Sequence, residues 1–175
     1  MFAALLGHVG GGINGLWDGL THPVLGLDHV LAMVTVGVLA MTMARPLAAP
    51  ATFLAGMIVG GALGLAGAPA PGGETAIALS VAALGVVLIV GRRLPAAWAL
   101  GLIGVAGLAH GHAHGTEAPT AAHPVVYIAG FVVATAALHV VGAGVGTTVR
   151  DHTPARASLG AVVLGAGVGL VVGVI

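Results

Sequence analysis

Two short stretches of this chain gather side chains able to hold a metal ion. The first is Asp18-Gly-Leu-Thr-His22-Pro-Val-Leu-Gly-Leu-Asp28-His29, and the second is His110-Gly-His112-Ala-His114-Gly-Thr-Glu117. Imidazole and carboxylate without thiolate suit borderline first-row ions such as Ni(II), Co(II), Zn(II) or Cu(II) better than Mg or Ca. The chain has no cysteine, which excludes thiolate zinc sites, iron–sulfur clusters and disulfides. On a helix, His110, His114 and Glu117 stand at i, i+4 and i+7 on one stripe, with His112 pointing away. Two imidazoles one turn apart can converge on a single divalent ion. Read as one continuous helix, the first stretch places Asp18, His22 and His29 along a similar stripe, with Asp28 flanking it. Pro23 cannot donate to the Gly19 carbonyl and disturbs the turn around it, so backbone carbonyls can open towards a cavity there.

The elements that carry these stretches must sit in a bilayer. Only ten of the 175 residues are charged (five Arg, three Asp, two Glu), while 58% are hydrophobic and 31 are Gly. A soluble domain carries about a quarter charged residues. With so little charge and a mean hydropathy of +1.13, the outer surface must face something other than water. A soluble enzyme, a nucleic-acid binder and a disordered tail are excluded. A spanning helix needs roughly 20 mostly apolar residues. Cut at its Pro, Gly and charged punctuation, residues 1–175 form a single all-α transmembrane domain, a compact six-helix polytopic bundle. Its spans run over about 13–43, 50–66, 74–91, 96–115, 121–146 and 154–175. Gly56/Gly60/Gly64 and Gly165/Gly169/Gly173 recur every four residues, a pattern that lets helix backbones approach closely in lipid.

Arg45, Arg92, Arg93, Arg150 and Arg156 all fall in the first, third and fifth connections, on one side of such a bundle. The positive-inside rule makes that side cytoplasmic and puts both termini outside. With the arginines as a floor, His29 is 16 residues from Arg45 and His110 is 17 from Arg93. At a helix's rise per residue these are depths of about 24 and about 26 Å. His22 and His114 lie at roughly 32–35 Å on the same ruler. Two stripes running in opposite directions thus meet at matching height in the outer half of the membrane, as one shared site requires. The expected ligands are His22, Asp28, His29, His110, His114 and Glu117, with Asp28 either ligating or orienting His29 through its second ring nitrogen. His139, about 16 Å above the floor, is a candidate relay or a packing histidine. His112 reads as a neighbour of the site and Asp18 as a partner for His22. His8 is either a cap from the outer terminus or a solvated residue, and His123 and His152 read as loop residues. A ligating imidazole must be neutral, so uptake should weaken in acid.

His-Pro-Val-Leu-Gly-Leu-Asp-His at 22–29 resembles the His-Pro-x-x-Gly-x-Asp-His signature of the HupE/UreJ family. His-Gly-His-Ala-His-Gly-Thr-Glu at 110–117 resembles that family's second signature, His-Gly-x-Ala-His-Gly-x-Glu. The resemblance implies a nickel permease of the bacterial cytoplasmic membrane, associated with hydrogenase or urease maturation. The chain is also similar to the wider nickel/cobalt transporters, although five residues, not four, separate His22 from Asp28. Family members usually begin with a cleaved signal peptide followed by a His near the mature N-terminus, and His8 resembles that residue. The first dozen residues here lack the basic start of a standard signal peptide.

The expected function is inward movement of Ni(II), with Co(II) as a second cargo and Zn(II) able to bind, without a prosthetic group. The expected partners are the ion and the bilayer; no nucleic acid or ATPase subunit is implied, and an oligomer is compatible with the pattern. Three other readings exist: a membrane metalloenzyme, a bis-His haem carrier and a metal-binding accessory subunit without flux. The short loops leave little room for a substrate pocket. Carboxylates beside a haem iron would be hard to explain.

Overall fold

Seven α-helices follow one another among the residues that the computed structural model describes, 14–70, 73–117 and 124–175. They are α1 (Asn14–Leu25), α2 (Leu27–Thr42), α3 (Ala48–Leu65), α4 (Gly73–Val90), α5 (Ala96–Glu117), α6 (Pro124–Val149) and α7 (Thr153–Val171). A 3-10 turn, Gly91–Arg93, closes α4. The helices from α3 to α7 are each long and apolar enough to cross a bilayer. The first two make a further span only if the bent pair counts as one.

That bend corrects the expectation of a continuous first helix. The segments Gly15–Leu25 and Leu27–Thr42 meet at 79°. Pro23 supplies no N–H to the last turn of α1, and Gly26 adopts an extended conformation (φ −88°, ψ 117°) before α2 begins. Glycine at 26 also leaves room for the Asp28–His29 side-chain pair. A Cβ there would lie 2.6 Å from His29 Nδ1 and 2.8 Å from Asp28 Oδ1. Asp18, His22 and His29 therefore do not share one straight stripe. The break folds the start of α2 back towards the end of α1.

The helices pack as close pairs, α3 with α5 and α4 with α7, while α6 lies against both α1 and α2. The α3–α5 seam is built from glycines. Gly56, Gly60 and Gly64 face the α5 backbone around Gly104, Leu108 and His112. In return, Gly107, Gly111 and Gly115 face Phe53, Met57 and Gly61. Any side chain at these positions would collide with main-chain atoms, so α5 is held at backbone distance from α3. The expected second stripe behaves differently: an added Cβ at Gly165 or Gly173 meets nothing, and one at Gly169 meets only the Ile175 side chain. The α7 glycines that pack are Gly160 and Gly167, against Gly85, Ile89 and Ala82 of α4.

A cluster of buried side chains, including Met33, Val36, Leu39, Phe53, Leu84, Leu88 and Ile103, fills the space between the pairs. Large apolar side chains such as Ile58, Leu79, Val105, Val133, Val140 and Val162 point outward, as lipid contact requires. At the arginine-bearing end, buried Arg156 donates to the Leu88 carbonyl near the C-terminus of α4. There a guanidinium satisfies a carbonyl left without a helical partner.

Candidate metal centre

The start of α2 builds the first half of the site. Asp28 lies in the first turn of that helix, where free backbone N–H groups favour a carboxylate. Its Oδ1 accepts the His29 backbone N–H at 2.8 Å and lies 2.7 Å from His29 Nδ1. This contact fixes the imidazole from behind and aims Nε2 into the protein. His29 Nε2 lies 2.8 Å from His114 Nε2 on α5. A proton occupies the line between these nitrogens. When neutral His29 donates Nδ1–H to Asp28, the donor across that line is His114.

His22 completes the cluster from the last turn of α1. Its ring centroid is 4.7 Å from that of His114 and 5.5 Å from that of His29. One nitrogen from each of His22, His29 and His114 falls within a group spanning no more than 4.8 Å. Three segments, widely separated in sequence or broken from one another, thus converge on a single point. His29 and His114 are buried and His22 is half-buried. The ring of Phe131 lies 4.1 Å from that of His114 and walls the cluster on the α6 side. A crevice of about 250 Å³, lined among others by Met57, Gly111, Tyr127, Ile128 and Phe131, lies against His114.

His110 sits one turn further into the bundle. It is fully buried, its ring is 5.1 Å from that of His29, and its Nδ1 donates to the Ala106 carbonyl at 2.9 Å. That bond leaves Nε2 with a lone pair and no partner among the described residues. His110 therefore adjoins the three-histidine group without belonging to it. Its stripe-mate Glu117 has a side chain outside the described residues, as does all of His8.

Two further candidates stand apart. His112 Nε2 donates to the Ala68 carbonyl at 2.7 Å and faces a separate cavity of about 410 Å³ shared with Glu74 and Thr116. Asp18, expected to pair with His22, makes no hydrogen bond or ion pair to it among the described residues. Both lie on α1, four residues apart and ahead of the bend, and the His22 ring faces His29 and His114 instead. His139 lies on α6 with both ring nitrogens unpartnered, against Phe53 and away from the three-histidine group.

Sequence reasoning did not single out Phe53, Phe131 or Thr135. Their apolar surroundings make the two aromatics look like ordinary core residues. Only the spacing of Thr135, four residues before His139, carried a signal.

The family model described as "HupE / UreJ protein" matches residues 1–170. The chain is 43% identical over 171 residues to Protein HupE of Rhizobium leguminosarum bv. viciae, covering 95% of this chain and 89% of that protein. No solved structure matches.

Proposed function

This chain belongs to the HupE/UreJ family, and from that premise we propose that it is a permease carrying Ni(II), and secondarily Co(II), inward across the bacterial cytoplasmic membrane. The observation that carries the reading is the convergence of His22, His29 and His114, with Asp28 braced behind His29. In this reading the chain is a single unit of six spans, the α1–α2 pair counting as one, with its arginines in the cytoplasm and both termini outside. The cargo sheds water at the three imidazoles, and Glu117 gathers ions at the mouth.

The donor set supports the choice of cargo: three imidazoles without thiolate suit borderline first-row ions such as Ni(II) and Co(II). His29 and His114 are hydrogen-bonded to each other through their Nε2 atoms at 2.8 Å, and both lone pairs turn off that line to share an ion. No ATP is required, since a divalent cation entering a negative-inside compartment gains about 4.6 kcal/mol per 100 mV.

Radiolabelled nickel uptake into proteoliposomes with an imposed negative-inside potential tests the proposal. The wild type is expected to accumulate the label and His29→Ala to lose it entirely. Asp28→Asn is expected to weaken metal affinity about 10- to 100-fold, the usual cost of losing such a brace. Binding of nickel without flux in the wild type would assign the chain to an accessory metal-binding role.

A further inference from the structure

Among the described residues, six helical hydroxyls bond back to a carbonyl three or four residues earlier. Thr21 bonds to Trp17, Thr42 to Leu39, Ser80 to Ile77, Thr116 to Ala113, Thr147 to Gly144 and Thr148 to Val145. This is one common way for a membrane helix to satisfy a hydroxyl. Thr135 of α6 does not do so. It is completely buried, and its Oγ1 has no partner among the described residues. One turn later on the same face lies His139, also buried, with neither Nδ1 nor Nε2 partnered. Buried polar atoms are almost always satisfied, by protein, water or an ion. Three orphaned atoms on one turn of one helix therefore mark a place where something polar visits.

Phe53 locates that place relative to the histidine cluster. Its buried ring lies 5.6 Å from that of His110 and 5.5 Å from that of His139. On the His110 side, Nε2 is unpartnered and the ring lies 5.1 Å from that of His29. On the other side lie the free atoms of His139. The aromatic ring thus divides two polar stations in an otherwise apolar core, and its face tolerates a passing cation. Measured from Arg150, Thr135 is about 22 Å and His139 about 16 Å above the cytoplasmic end, both deeper than the cluster.

We propose that Thr135 and His139 form a second, inner station that accepts the permeating divalent cation after it passes Phe53. The proposal rests on the permease reading above and adds the next step inward. His139 supplies an imidazole nitrogen and Thr135 a hydroxyl oxygen. This sparse donor set, weaker than three imidazoles, holds an ion briefly and lets it leave. Two stations of unequal strength allow an ion to move in steps through a core that a bare charge could not cross.

The test uses radiolabelled Ni(II) alone, measuring equilibrium binding to the purified full chain and uptake into proteoliposomes for each variant. The expected result is that His139→Ala retains nickel binding at the outer cluster while uptake falls at least tenfold. Thr135→Val, nearly identical in shape, lowers uptake about threefold, and Thr135→Ser restores it. Retained outer-site binding in these variants shows that the bundle is intact, so a purely structural role for either residue would not give this split. Wild-type uptake in both His139→Ala and Thr135→Val, with His29→Ala inactive, overturns the inner station and leaves the permease reading standing. Equal binding and uptake in wild type and His29→Ala overturns both.

Discussion

The α3–α5 and α4–α7 pairs are built by the same device and do different work. Each lays glycines of one helix against the backbone of the other: Gly60 and Gly111 in the first pair, Gly85 and Gly167 in the second. In α4–α7 the buried side chains beside the seam include Val81, Leu84, Leu88 and Val163. In α3–α5 the helix so held also carries His110 and His114, and its partner supplies Phe53. A glycine seam gives a fixed distance and an angle, and the chemistry comes from what the same helix displays elsewhere. In lipid, where helix association gains little from the hydrophobic effect, such seams are how ligands on separate helices are kept in register.

If this contrast is right, damage to the two pairs should separate cleanly. The largest effect belongs to His114→Ala, which removes the α5 nitrogen facing His29. Uptake should fall at least a hundredfold while the yield of folded protein is unchanged, as read by transport assay beside gel filtration. Gly167→Leu should do the reverse. Its side chain would drive into Ala82 of α4, lowering the thermal midpoint and the amount of folded protein severalfold. Nickel bound per folded molecule should stay near the wild-type value; a matching loss of affinity would show that the second pair also shapes the site. The smallest effect is expected from His112→Ala, on the opposite side of α5, with uptake reduced threefold or less. A loss comparable to that of His114→Ala would move the route to the cavity beside Glu74.

The sequence carried much of this arrangement, for a physical reason. In a chain with ten charged residues, histidines and carboxylates in apolar segments stand out, and their i, i+4 spacing on α5 needs no tertiary knowledge. The Gly56/Gly60/Gly64 seam was legible in the same way. The break at Gly26 was only half legible. Pro23 announces a disturbed turn, but no residue type sets the 79° angle between the two segments. A straight-helix reading put His29 further along the Asp18–His22 stripe, and the bend instead brings the His29 ring round to face His22 across the break. The Gly165/Gly169/Gly173 repeat shows the opposite limit. Small residues at a packing period mark a face that can pack, and only the neighbouring helix decides whether it does. Thr135 escaped notice because a helical threonine ordinarily satisfies itself, and only the three-dimensional accounting of hydrogen bonds reveals that this one does not.

The central claim is that His22, His29 and His114 bind one ion together. X-ray absorption at the nickel edge, on the purified protein loaded with one equivalent of Ni(II), tests it most directly. Three imidazole nitrogens are expected at about 2.0–2.1 Å, with the outer-ring scattering of histidine, reduced to two in His22→Ala. A first shell of oxygen alone, or a spectrum unchanged by removing any of the three histidines, would contradict it.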